Sequence, residues 1–200
     1  MLKEQEMLDL FQKSKALLTG HFELTSGLHS EQYFQCALVL QYPDYCELLA
    51  KNLKEKFSDL PKPDLIIGPA LGGVTLAYEL ARAFGVKGIF AERKEEKMQL
   101  RRGFKVEKNQ KVIVVEDVVT TGGSVKEVIE LMKQQGAEVV AVGSVVDRSS
   151  KPVDFSVPFR PLMKMQVQTF QPSECPLCKK GIPIYKPGSK GLTEHKASSK

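Results

Sequence analysis

Apolar positions recur along this chain in two rhythms, and the change between them divides it. Near the start, Met7, Leu8, Phe11 and Leu18 fall on one helical face, which predicts an opening amphipathic helix ended by Gly20. His21–Leu24 then reads as a short strand and Thr25-Ser26-Gly27 as a turn. Pro43 opens a second helix in which Tyr45, Leu49, Leu53 and Phe57 recur at four-residue spacing, and Lys62-Pro63 closes that segment. From Asp64 onward, short unbroken apolar runs alternate with helical patterns. The runs are Leu65–Ile67, Gly88–Ala91, Val112–Val115 and Val139–Val146; the helices carry Leu76, Leu80, Ala83 and Phe84, then Val125, Val128, Ile129 and Met132. Runs without internal polar alternation predict strands buried on both faces, so the pattern is that of an α/β fold, a central mostly parallel sheet flanked by helices. Met163, Met165 and Val167 alternate with Lys164, Gln166 and Gln168, which predicts one further strand. The last twenty or so residues, rich in Lys, Gly, Pro and Ser, are expected to be mostly unstructured.

Composition narrows the class. The 200 residues are 42% hydrophobic and 26% charged, the balance of a folded soluble domain. No apolar run approaches the ~20 residues of a bilayer-spanning helix. The N-terminus mixes acids and bases among its apolar residues, unlike a signal peptide, so a cytoplasmic protein without membrane contact is expected. Six lysines and one acid within 179–200 supply the whole net charge of +5. That places the excess in a solvated tail, and no nucleic-acid partner is expected. Four cysteines make no secreted disulfide framework. Cys175-Pro-Leu-Cys178 is half of a zinc site, but structural zinc takes four ligands. Cys36 and Cys46 are distant in sequence and only His195 is near, so the pair is read first as inert or tail-folding, with a metal site as the alternative. His21 and His29 are read as surface or capping residues, and no metal is assigned to protein side chains.

Two stretches carry chemistry. The first is VIVVEDVVTTGGS at 112–124: a buried strand delivers Glu116 and Asp117 to its C-terminal end, where open parallel sheets bind ligands. Thr120-Thr121-Gly122-Gly123-Ser124 then leads into a helix. Glycines let successive backbone N–H groups converge, hydroxyls add donors and the helix start adds partial positive charge, which makes a phosphate cradle. It has neither the Gly-Lys-Ser/Thr of an ATP-type loop nor the spacing of a dinucleotide motif. Acids beside such a cradle repel phosphate and suit the hydroxyls of a vicinal diol instead; together the two features point to a phosphorylated ribose. The second stretch, 92–111, sets eight bases and four acids between two buried strands, longer than an ordinary connection.

VIVVEDVVTTGGS resembles the signature of type I phosphoribosyltransferases, which bind phosphoribosyl pyrophosphate (PRPP). Three more stretches are similar to the orotate phosphoribosyltransferase family. FELTSGLHSEQYF (22–34) resembles its N-terminal hood, with Tyr33-Phe34 lining the base pocket. ERKEEKMQLRRG (92–103) resembles its mobile catalytic loop, and Asp147-Arg148 the pair whose Arg meets orotate. The resemblance implies a type I phosphoribosyltransferase fold: N-terminal helices and hood over 1–62, a PRPP-binding core over 63–170 and the basic tail over 171–200. It implies a glycosyltransferase of pyrimidine biosynthesis that joins orotate to PRPP, releasing pyrophosphate and giving orotidine 5′-monophosphate.

In the implied site, Glu116 and Asp117 hold the ribose hydroxyls, Thr120, Thr121, Gly122, Gly123 and Ser124 hold the 5′-phosphate, and Val118 and Val119 between them also border PRPP. Thr120 and Arg148 contact orotate. Arg93, Lys94 and Lys97 reach the pyrophosphate from the partner subunit of a homodimer, Lys97 and Asp117 being the catalytic pair. Gly68–Gly73 is the pyrophosphate loop, and Mg²⁺ rides on the PRPP pyrophosphate. The chemistry itself demands a lid, because water must be kept from a cationic sugar. The chain departs from the family at Leu71-Gly72, where some members carry Tyr-Lys, at Thr25 in place of a Lys, and at Gln99 in place of a loop His. These departures leave more to Arg93, Lys94 and Lys97, with Arg101 or Arg102 as substitutes. Two other readings stand beside this one: a phosphoribosyltransferase for another nucleobase, and a non-catalytic PRPP-sensing regulator. The latter wants a DNA-binding element, and residues 1–20 supply one helix only.

Overall fold

The computed structural model describes residues 2–24 and 26–187. In chain order the first elements are α1 (Glu4–Lys13), β1 (Leu17–Glu23), β2 (His29–Phe34), α2 (Ala37–Leu40), α3 (Pro43–Glu55), β3 (Leu65–Pro69) and α4 (Gly72–Phe84). They are followed by β4 (Lys87–Lys94), β5 (Lys97–Gln99), β6 (Lys111–Val119), α5 (Gly123–Gln134), β7 (Glu138–Asp147), β8 (Phe159–Lys164), β9 (Thr169–Phe170) and α6 (Pro176–Lys179). The chain forms two compact units. One holds 1–16 and 35–166, the other 17–34 and the segment from 167. This differs from the three-part division expected from sequence: the hood hairpin groups with the tail, and the N-terminal helices group with the core.

In the larger unit, among the described residues, six strands form one sheet in the order β5-β4-β3-β6-β7-β8. β4, β3, β6, β7 and β8 are parallel neighbours, and β5 runs antiparallel on the β4 edge. Numbered by sequence, the parallel strands lie second-first-third-fourth-fifth, the doubly wound order whose ligands bind where the winding reverses. That switch point is the gap between the C-terminal ends of β3 and β6.

The pleat sends alternate residues to opposite faces. Leu65, Ile67, Val112 and Val114 join Val125, Val128, Ile129 and Met132 of α5 in one apolar layer. On the other side, α3 and its flank pack so closely that a Cβ at Gly143 of β7 would stand 2.8 Å from the Phe57 ring. Leu49, Leu53, Phe57, Leu76 and Leu80, all buried, confirm the helical periodicity.

Three local expectations change. α1 ends at Lys13 rather than at Gly20: the Ser14 hydroxyl donates to Leu10 O at 2.8 Å and Lys15 turns left-handed at φ 57°. Leu18 and Gly20 therefore belong to β1, where pairing with β2 overrides helical spacing. The strand expected at 112–115 runs on through both acids to Val119, because β7 pairs with it as far as Asp147. The charged segment folds into a hairpin: Glu95 and Glu96 both take positive φ (50° and 62°), the shape of a two-residue turn between β4 and β5. Beyond it, Met98, Leu100, Phe104 and Val106 settle against the α5 layer.

The smaller unit is an antiparallel sheet in the order β1-β2-β9, with α6 beside it in sequence. Of the last twenty or so residues, expected to be mostly unstructured, only those up to 187 are described, and Tyr185 among them pairs with β1. The Tyr185 N–H donates to His21 O at 2.8 Å and the Glu23 N–H to Tyr185 O at 2.9 Å. Thr25, His195 and the rest of the tail beyond 187 lie outside the described residues.

Candidate active site

The switch point is built by two loops. After β3, Gly68–Gly73 turns into α4 by a tight crossing: a Cβ at Gly68 would meet Gly73 O at 2.5 Å, so the backbone strands are in direct contact there. After β6, Thr120–Gly122 turns into α5, with Gly122 left-handed (φ 75°) at the N-cap. The first four N–H groups of any helix lack intrahelical partners, so the start of α5 presents donors and positive potential. A hollow opens there, lined by Glu116 and by Val118 through Val125. The predicted cradle residues Val118, Val119, Thr120, Thr121, Gly122, Gly123 and Ser124 are therefore brought together around one cavity.

The two acids are adjacent in sequence but are dealt to different sides. Glu116 shares the pleat parity of Val112 and Val114 and lines the α5 hollow. Asp117 points the other way, to the β3–α4 loop: a Cβ at Gly72 would lie 2.5 Å from its Oδ1 and 2.9 Å from Oδ2. Only a glycine leaves room for that carboxylate. The backbone holds both acids in place, with the Asp117 N–H donating to Glu116 Oε1 (3.2 Å) and the Val118 N–H to Asp117 Oδ1 (2.8 Å). Burial pushes both carboxyls above the usual carboxylate range, and for Glu116 the neighbouring Asp117 adds to it. No ion pair is recorded for either acid among the described residues. A half-buried acid pair without a cation is stabilised by whatever ligand brings hydroxyl protons or positive charge. The buried Cys36 thiol lies close enough for Asp117 to help raise its pKa, a neighbour that sequence spacing gave no means of finding.

Arg148 stands half-buried at the end of β7, and its backbone N–H donates to Val119 O at 2.8 Å, which fixes it beside the cradle. Asp147 is buried and accepts the Ser149 N–H at 2.9 Å, so it shapes the turn that carries Arg148.

The hairpin distributes its cations unequally. Arg93 pairs with Glu127 of α5 at 2.8 Å, while Arg102 and Arg101 pair with Glu92 at 2.7 and 3.5 Å. Arg102 also lies over the Phe90 ring. Arg93, expected to face pyrophosphate, and its two candidate substitutes Arg101 and Arg102 are thus partnered inside the chain. Lys94 and Lys97 face each other across the hairpin end, both exposed, with Glu95 3.8 Å from Lys94 and no ion pair recorded for Lys97 among the described residues. Gln99 Nε2 donates to Lys94 O at 3.4 Å and so stays within the hairpin. Leu71 is 87% exposed, so at this departure from the family only backbone groups are offered to a ligand. Tyr33 and Phe34 lie on β2 of the smaller unit; Phe34 is buried, and the Tyr33 ring packs 5.7 Å from that of Phe22.

Comparison with known proteins agrees with this geometry. The family model described as a phosphoribosyl transferase domain matches residues 39–173. The orotate phosphoribosyltransferase of Caldanaerobacter subterraneus subsp. tengcongensis is 52% identical over 96% of this chain and 100% of its own length. That of Carboxydothermus hydrogenoformans is 56% identical over 92% of this chain and 97% of its own. The crystal structure of orotate phosphoribosyltransferase from Aeropyrum pernix superposes with a TM-score of 0.69 at 25% identity, covering 80% of this chain and 93% of that one. With a doubly wound sheet, acids and an anion cradle at its switch point, and relatives matched along nearly their whole length, the chain belongs to the phosphoribosyltransferase family, within its orotate phosphoribosyltransferase branch.

Proposed function

We propose that this chain transfers the 5-phosphoribosyl group of PRPP to orotate, giving orotidine 5′-monophosphate and pyrophosphate in pyrimidine biosynthesis. The observation that carries the reading is the pairing, at one switch point, of an uncompensated acid pair with an anion-sized hollow at the start of α5. The 5′-phosphate sits in the hollow, held by the N–H groups of Thr121–Ser124 and the hydroxyls of Thr120, Thr121 and Ser124. Glu116 and Asp117 accept the two ribose hydroxyl protons. Each then gains a donor that favours its ionised form, and the sugar is clamped with its anomeric carbon facing the β3–α4 loop.

Bond breaking to pyrophosphate and bond making to a ring nitrogen of orotate pass through a cationic sugar, as glycoside cleavage does. The ionised acids beneath the ring stabilise that charge. Departing pyrophosphate needs donors: the backbone of Gly68–Gly73 supplies some, and Lys97 and Lys94 at the hairpin end supply charge. Mg²⁺ would ride on the pyrophosphate of PRPP, whose hard phosphate oxygens suit it, while Glu116 and Asp117 stay with the ribose hydroxyls. When bound, it neutralises charge on the leaving group. Arg148 offers a planar fork to the orotate carboxylate.

A homodimer in which the 92–103 hairpin serves the partner's site is part of the same proposal. It is supported by exposed apolar residues, Leu71 (87% exposed) just before α4 and Tyr78 (67%) on it, the latter lining a groove with Val74, Ile89 and Phe90. Among the described residues no helix is long and apolar enough to cross a membrane. The test is direct: protein, PRPP, Mg²⁺ and orotate should consume orotate's ultraviolet absorbance, and uracil or hypoxanthine should not replace it. Turnover with another base and none with orotate would overturn the substrate assignment.

A further inference from the structure

The smaller unit brings together four side chains that the reaction does not use. His21 near the end of β1 and His29 at the start of β2 flank one hairpin turn, and Cys175 and Cys178 lie one helical turn apart at α6. One ligand atom from each falls within 4.8 Å of all the others. Cys175 Sγ is 3.5 Å from His21 Nε2, and Cys178 Sγ is 3.7 Å from the same nitrogen. Cys178 Sγ is 3.3 Å from His29 Nδ1, and the two ring nitrogens are 3.1 Å apart. Both histidines and Cys175 are buried. The sequence expectation of surface histidines is therefore corrected, and the Cys-x-x-Cys meets partners from residues about 150 positions earlier, which no local spacing displays.

We propose that His21, His29, Cys175 and Cys178 bind a single structural zinc ion. Tetrahedral zinc with Zn–N about 2.0–2.1 Å and Zn–S about 2.3 Å sets ligand-to-ligand edges of roughly 3.3–3.8 Å, and the four contacts above cluster around that range. The outer contacts agree. His21 Nδ1 lies 2.7 Å from Ile182 O, and since a carbonyl only accepts, Nδ1 carries the proton and Nε2 presents its lone pair to the centre. Two soft sulfurs with two imidazoles in tetrahedral array favour zinc among common ions. A two-iron cluster with this donor set puts the histidines and the cysteines on different irons. Here each histidine nitrogen is within 3.7 Å of a cysteine sulfur, which leaves room for one ion.

The unit also has a use for a metal. Its described part is about 40 residues, a size at which a core alone seldom holds a fold. Among its described residues the buried apolar side chains are Phe22, Phe34, Cys175 and Leu177. A zinc ion would join the hairpin to the tail and supply that missing stabilisation.

The test uses the full chain, expressed without an affinity tag and purified under reducing conditions. Metal analysis should find one zinc ion per chain that survives dialysis. Replacement by Co²⁺ should give the intense visible bands of tetrahedral thiolate coordination. Cys178→Ser should lower zinc affinity at least 100-fold, and Cys178→His should restore most of it. Because a variant of so small a unit can fail to fold, the unaltered protein gives a second readout. Chelation should open Cys175 and Cys178 to alkylation and re-added zinc should close them, while buried Cys36 and Cys46 stay protected throughout. The proposal is overturned by chain that takes up no zinc from a buffered zinc solution. It is equally overturned by Cys178→Ser protein that keeps its full equivalent, or by alkylation indifferent to zinc. None of these outcomes depends on turnover of orotate.

Discussion

Gly72→Ala isolates the contact between the β3–α4 loop and Asp117. The added methyl would stand 2.5 Å from Asp117 Oδ1 and 2.8 Å from Cγ, too close to be tolerated, so the carboxylate must swing away. The swing breaks the bond it accepts from the Val118 N–H, at a cost of about 1–3 kcal/mol. Against this, alanine at the first position of α4 returns roughly 0.5–1 kcal/mol of backbone entropy. The net destabilisation is about 0–2.5 kcal/mol, which at roughly 2–4 °C per kcal/mol for a chain of this size lowers Tm by less than about 10 °C. Activity should suffer far more, since displacement of a substrate-positioning group by about 1 Å costs on the order of 100-fold. Gly85→Ala is the control. Gly85 is left-handed (φ 69°) but a Cβ there meets nothing within 4 Å, so it costs about 1–2 kcal/mol of strain and leaves the site alone. The assay is kcat/KM for PRPP at saturating orotate, alongside thermal unfolding. Gly72→Ala protein within threefold of the parent, or Gly85→Ala losing as much activity, would refute the placement of Asp117 against the loop.

Other outcomes follow from the same geometry. Gly122→Ala adds left-handed strain of about 1–2 kcal/mol and drives a methyl to 2.7 Å from Val153 Cγ1 and 2.9 Å from the Phe155 ring, so Tm should fall by about 5–15 °C on thermal unfolding. Burial raises the carboxyls of Glu116 and Asp117, so the folded ligand-free chain keeps protons that the unfolded chain has released, and stability should fall as pH rises from the ordinary carboxylate range toward the raised values. Glu116→Gln should flatten that slope in a Tm-against-pH series while abolishing PRPP turnover. Lys97→Ala should lower kcat at least tenfold with orotate affinity unchanged by calorimetry. Mixing it with Asp117→Ala protein should recover part of the activity if the hairpin serves the partner's site, and recovery of none would reject that arrangement.

The sequence by itself determined the alternation of strands and helices between Leu65 and Asp147 and where its candidate site residues would emerge. Unbroken apolar runs such as Val112–Val115 have only one stable home, between two helical layers, and acids, hydroxyls and glycines following such a run must emerge at its C-terminal end. Those are local facts, and local spacing carries them. Tertiary structure decided whatever depends on partners remote in sequence. Strand pairing, not helical periodicity, claimed Leu18 and Gly20 for β1. The pleat and the neighbouring loop sent Glu116 and Asp117 to different sides of one sheet. Glu127 and Glu92 took up cations that the sequence left facing a ligand. The four-ligand cluster is the clearest case: each half of it is unremarkable alone, and the hairpin and the tail become a candidate metal centre only because folding closes a loop of some 150 residues between them.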